Sequence, residues 1–199
     1  MKRLVKTSLV IVVMFAAMVS YANEFPLLTK ERAKFVKNIT FENVKKGSLL
    51  IIKDSNEMIL YKEFIEKSGT YSKGFDLTVL PNGNYYFELD KQVEIRVKPF
   101  MVKDSIVEFK KDEEYKIFKP VVYLKKDKVH ISKFTFDNEV LDIKIFTADS
   151  HELVLSEKIE RKGDSDYLGK IYNFSTSEKG TYSIIINSAG RRFVKNIKI

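Results

Sequence analysis

Catalytic chemistry has few places to sit in this chain. It has no cysteine and only two histidines, His130 and His151. Composition therefore excludes a thiolate nucleophile and a thiolate metal site. His130 lies between Val129 and Ile131 and alternates onto the opposite face, which reads as an exposed strand position. Asp149-Ser150-His151 has the residue types of a hydrolytic triad. Three adjacent side chains on one turn cannot align nucleophile, base and orienting acid. Two scattered histidines also make no zinc site without carboxylate partners. Asp164-Ser165-Asp166 offers oxygens to calcium, but the glycine and distant glutamate of a calcium loop are missing. A polar hairpin tip is the expectation there. Asp164, Asp166 and Glu178 are the loop carboxylates left for a hydrolase. No catalytic, cofactor-binding or metal-binding residue is assigned, and no cofactor is expected.

The elements that would position any site come in two copies. Asp54-Ser55-Asn56-Glu57-Met58-Ile59-Leu60 returns as Asp149-Ser150-His151-Glu152-Leu153-Val154-Leu155, 95 positions on. Gly83-Asn84-Tyr85 returns as Gly180-Thr181-Tyr182, and Val97-Lys98 as Val194-Lys195, both 97 positions on. A period this long is domain-sized, well above the roughly 20 to 50 residues of solenoid repeats. The repeated Asp, Ser and Glu fit turn chemistry, because Asp and Ser accept local backbone hydrogen bonds. The reading predicts that Tyr85 overlies Tyr182 and that Leu60 lies near Leu155.

Period-two alternation runs through both copies. Leu49 to Lys53 is apolar on both faces, as a central strand requires. Phe75, Leu77 and Val79 are expected to face inward on one strand, then Tyr85, Phe87 and Leu89, then Val93, Ile95 and Val97. Ile106 to Phe109 is expected to close the sheet. In the second copy Val129, Ile131 and the Phe134/Phe136 region lead in. Leu141 to Phe146, Leu153 to Ile159, Tyr172 to Phe174, Tyr182 to Ile186 and Arg192 to Ile199 follow. The final strand should pair back across Asn187-Ser188-Ala189-Gly190, with a bulge or bend near Asn196. Thr29 to Val36 suits either a capped helical turn or an extended arm. The fold class is all-β: two tandem immunoglobulin-like or fibronectin-type antiparallel β-sandwiches after a signal peptide. The divisions are 1–22 signal peptide, 23–37 N-terminal arm, 38–114 first repeat and 115–199 second repeat, with the joint between Lys110 and Lys119.

The leader carries Lys2, Arg3 and Lys6, an unbroken apolar run of 11 residues from Leu9 to Val19, and Ser20-Tyr21-Ala22 at a cleavage site. Eleven residues are too few to cross a bilayer, which takes about 20. The mature protein is expected to start at Asn23, to be exported to the periplasm, cell surface or medium, and not to insert in a membrane. Losing the three leader cations lowers the formal net charge from +8 to +5. Residues 23–119 hold 18 Lys and Arg against 16 Asp and Glu, and residues 120–199 hold 14 against 11. Interleaved signs without a basic face argue against nucleic acid. Without disulfides each half must bury its own core, for which the chain has 15 Phe and ten Tyr.

Leu80-Pro81-Asn82-Gly83-Asn84-Tyr85-Tyr86-Phe87 resembles the turn-and-strand signature of immunoglobulin-like and fibronectin-type modules. The resemblance implies that Tyr85 and Tyr182 are corner residues whose hydroxyls bond backbone upstream. The wider pattern is similar to the small β-sandwich modules of secreted Bacteroidetes proteins, including type IX secretion C-terminal sorting domains. The ending Phe193-Val194-Lys195-Asn196-Ile197-Lys198-Ile199 is similar to such a terminus. The functional expectation is a non-catalytic exported module that binds or scaffolds a protein or glycan of the cell envelope. The alternatives are a secretion-directed sorting module and a small exported hydrolase using loop carboxylates.

Overall fold

The computed structural model describes residues 36–135, 139–161, 163, 165–174 and 179–199. The leader, the arm as far as residue 35, Phe136, Asp164 and Glu178 lie outside them. The chain is all-β, and every strand pair within the described residues is antiparallel. No helix among the described residues is long and apolar enough to cross a membrane.

The first half contains β1 (Val36–Val44), β2 (Leu49–Asp54), β3 (Ile59–Phe64), β4 (Gly69–Asp76), β5 (Gly83–Asp90), β6 (Glu94–Lys103), β7 (Ile106–Phe109) and β8 (Tyr115–Phe118). One sheet has the order β3-β2-β5-β6-β7, with β8 also paired to β6, and the other is β1-β4. Between them Phe41, Leu50, Ile52, Phe75, Leu77, Phe87 and Phe100 are buried in one core. Phe87 sits at its centre, with ring centroids 5.3 Å from Phe75 and 5.1 Å from Phe100. Offset and tilted ring packing of this kind adds to the area term.

The second half contains β9 (Val121–Lys125), β10 (Lys128–Phe134), β11 (Val140–Thr147), β12 (Leu153–Glu160), β13 (Tyr167–Asn173), β14 (Thr181–Ser188) and β15 (Arg191–Lys198). Its sheets are β13-β10-β9 and β12-β11-β14-β15. Its core is more aliphatic, with Val129, Ile131, Leu141, Ile143, Ile145, Ile184 and Ile186 buried together with Tyr172, Phe174 and Tyr182.

The two halves share a strand order. β3-β2-β5-β6 matches β12-β11-β14-β15, and β1-β4 matches β10-β13. Register makes the match residue by residue: Tyr85 pairs with Phe100 as Tyr182 pairs with Ile197. Each half has one register shift in the hairpin after its central strand, with Leu60 and Val154 as the extra residues. Leu60 therefore corresponds to Val154 and not to Leu155. Asp54 likewise does not correspond to Asp149. Asp54 pairs with Tyr85 and Thr147 pairs with Tyr182.

Five further expectations change. The strand ends at Asp76, whose carboxylate accepts hydrogen bonds from the Thr78 amide and hydroxyl and opens a one-turn 3-10 helix over Leu77–Val79. Val79 is consequently exposed. Val93 precedes β6 and is exposed, leaving Ile95 and Val97 inside. Arm residues Val36 and Lys37 are already in β1, and Tyr115–Phe118 pairs with β6 of the first half. No bulge occurs at Asn196, because pairing is continuous from Thr181–Lys198 to Ser188–Arg191.

Candidate functional site

The residues singled out for chemistry do not converge. His130 is not a free surface ring: it stacks on Tyr123 of the neighbouring strand, centroids 4.7 Å apart and 7° from parallel. His151 is a turn residue with φ of 56°, and its amide bonds the Thr147 carbonyl. Asp149 accepts from the adjacent Ser150 amide, while the Thr147 hydroxyl receives the Glu152 amide at 3.0 Å. In the first half Asp54 receives Asn56 and Met58 amides, both at 2.9 Å. The same turn position thus uses a carboxylate once and a hydroxyl once. Asp166 faces the Arg161 guanidinium at 3.3 Å. Among the described residues no group of three His, Asp or Glu could hold a metal.

Tyr85 does hold a corner. Its ring is buried and its hydroxyl donates to the Pro81 carbonyl, four residues upstream, at 2.8 Å. Gly83 lies beneath that ring, as Gly180 lies beneath Tyr182. The residue four before Tyr182 is Glu178, outside the described set.

A constellation absent from the sequence reading recurs in both halves. In the first, Glu63 of β3 receives Tyr61, Tyr71 and Lys73, with Tyr61 at 2.5 Å and Lys73 at 2.6 Å. In the second, Glu157 of β12 receives Lys170, and Tyr172 at 3.0 Å. Each carboxylate sits on one sheet and its β4 or β13 donors on the other, so it clasps the sandwich along one edge. Burial pushes the Glu63 carboxyl up, but the Lys73, Tyr61 and Tyr71 hydrogen bonds outweigh it and hold it below the usual range. Lys170 does the same for Glu157, followed by Tyr172. Burial raises the Tyr71 phenol, with the Glu63 carboxylate adding to the shift.

A second constellation joins the halves. Arg191, at the turn into β15, reaches the outer face of the first sheet and pairs with Glu57 at 2.9 Å and with Glu88. Lys53 of β2 pairs with the same two carboxylates, at 2.9 and 3.0 Å. Two cations thus alternate with two anions, and the Glu88 side chain is only 5% exposed. Lys53 and then Arg191 hold the Glu57 carboxyl below its usual range despite partial burial. Beside this square, Ile95, Val97 and Ile117 form a small apolar cluster against Tyr86 and Phe193, and the Phe118 ring meets Phe134 edge-on at 4.9 Å. Arg191 and Glu88 are 103 positions apart, which is why no local pattern marks them.

Next to the seam runs a groove of about 490 Å³. Its walls are Gln92 and Val93, Lys119 to Val122, and Arg192 to Lys195. Three of its side chains are cationic and none is acidic.

No protein-family model and no curated protein matches the chain. Among solved structures it is similar to the BSP domain of a biofilm-associated protein, at 11% identity and a TM-score of 0.27, over 81% of this chain and 27% of that one. It is also similar to a pullulanase from Anoxybacillus sp. LM18-11, at 9% identity and 0.26, over 80% and 24%. The chain spans about a quarter of the length of either.

Proposed function

We propose that this is an exported, non-catalytic protein of two tandem β-sandwich modules, about 36–119 and 120–199, that binds or scaffolds a protein or glycan of the cell envelope. The observation that carries this reading is the state of the carboxylates. Glu57, Glu63, Glu94 and Glu157 are each held below their usual range, and each is bonded to Lys or Arg. A general acid needs the opposite, a carboxyl raised by burial without a cation beside it. Here the fold spends its ionisable groups on fastening sheets and modules together. Two fastened modules leave loops, edges and the seam groove as recognition surface.

The leader motif and the resemblance to secreted Bacteroidetes modules support export. Fractionation of the native cells followed by N-terminal sequencing tests it: the mature chain should leave the cytosol and begin at Asn23. Retention in the cytosol with Met1 intact would overturn export. Ester, glycoside and peptide substrates should show no turnover with purified protein. A hydrolysis that Glu63→Gln or Glu157→Gln abolishes would overturn the non-catalytic reading. In-cell photo-cross-linking should give a saturable envelope adduct, and its absence would overturn the binding role.

A further inference from the structure

The first module shows what pairs with an edge that, among the described residues, stays unpaired in the second. In register, Glu94–Val97 of β6 correspond to Arg191–Val194 of β15, since Leu89 pairs with Arg96 as Ile186 pairs with Phe193. On β6 those four residues pair with β8, Val97 opposite Tyr115 and Glu94 opposite Phe118. β15 hydrogen-bonds to β14 and to no other strand among the described residues. Its outward backbone groups therefore offer a template for one more strand.

Resting on the binding reading above, we infer that the β15 edge takes an extended segment of a partner protein with the pattern acid–apolar–apolar–acid. The pattern follows from the edge. Arg192 and Val194 share one face of β15, and Phe193 and Lys195 the other. An added strand sets one residue opposite each of these four, so its acids meet Arg192 and Lys195 and its apolar pair meets Phe193 and Val194. Both cations are exposed, and neither has an ion-pair partner among the described residues. Val194 is 56% exposed, a large apolar side chain left in water on an open edge. The groove beside the edge carries Lys119 as a third cation, itself paired with Asp90. A second copy of this chain fits poorly: antiparallel pairing of two β15 edges about Phe193 and Val194 would set Arg192 against Lys195 twice. Like charges directly opposite on paired strands are destabilising.

The test is a titration of isotope-labelled protein with the blocked peptide Thr-Thr-Glu-Val-Val-Glu-Thr-Thr, followed by amide chemical shifts. The expected result is saturable shifts at residues 191–195 and 121–122, lost when Lys replaces both Glu in the peptide. Arg192→Ala and Lys195→Ala should each weaken binding about two- to fivefold, the worth of one cross-strand charge pair. Methylating alternate peptide amides should abolish binding in one phase and spare it in the other, because only alternate N–H groups face β15. Equal tolerance of both phases, or equal binding of the Lys peptide, would overturn strand addition. No shift at 191–195 would overturn the site, and a persisting envelope cross-link would then leave the broader binding reading intact. A dimer in sedimentation that Arg192→Glu dissolves would reassign the edge to a second copy.

Discussion

Replacing Arg191 by Met removes the guanidinium from the seam and keeps most of its apolar stem. Glu88, 5% exposed, then faces Lys53 alone, while Lys53 must also serve Glu57. Breaking a buried ion pair outright costs about 3–5 kcal/mol, because the surviving charge stays desolvated. One cation remains here, and the Arg191 side chain is 19% exposed. We therefore expect about 2 kcal/mol for Arg191→Met, and a similar loss for Glu88→Gln. The two should not add. Once Glu88 is neutral, Arg191 has only the exposed Glu57 left, so the double mutant should recover about 1–2 kcal/mol relative to the sum. Urea unfolding of the four proteins at pH 7 measures this cycle, through midpoints at unchanged m-value. Additivity to within about 0.5 kcal/mol would refute the seam as an energetic unit.

Tyr85→Phe deletes the hydroxyl bond to Pro81 without changing the ring and should cost about 0.5–1.5 kcal/mol in the same assay. Lys133 is 2% exposed and bonded to Glu139 and to Ser188 at 3.0 Å. Lys133→Ala should therefore cost about 3–5 kcal/mol, and pairing Lys133→Met with Glu139→Gln should restore most of it, because no unpaired charge then remains. The Glu63 clasp makes stability fall with acid. Its carboxyl is lowered in the folded state, so the contribution is full above the unfolded Glu value of about 4.3 and is lost as pH falls through the folded value. Denaturation midpoints between pH 7 and 3 should be flatter for Glu63→Gln than for the parent protein.

Much of the architecture was legible in the chain because its causes are local. Alternation set the strands, and Gly83-Asn84-Tyr85 and Gly180-Thr181-Tyr182 marked one corner twice. That motif and Val97/Val194 fell into true register because β5 and β6, like β14 and β15, run as one unbroken hairpin. The Asp-Ser-x-Glu landmark misled by one or two residues. Turns of similar composition closed loops of different length, with the Asp54 amide donating to the Met58 carbonyl but the Thr147 amide to the Glu152 carbonyl. Side-chain oxygens that accept amides are interchangeable, so a hydroxyl could stand where a carboxylate stood. The clasps and the seam were invisible for another reason. Glu63 with Tyr71, Glu157 with Tyr172 and Arg191 with Glu88 meet only after two sheets, or two modules, have packed. Sequence period thus determined which face each side chain takes on its own strand. Packing alone decided which charges share that face across strands, and so which carboxylates are held by cations.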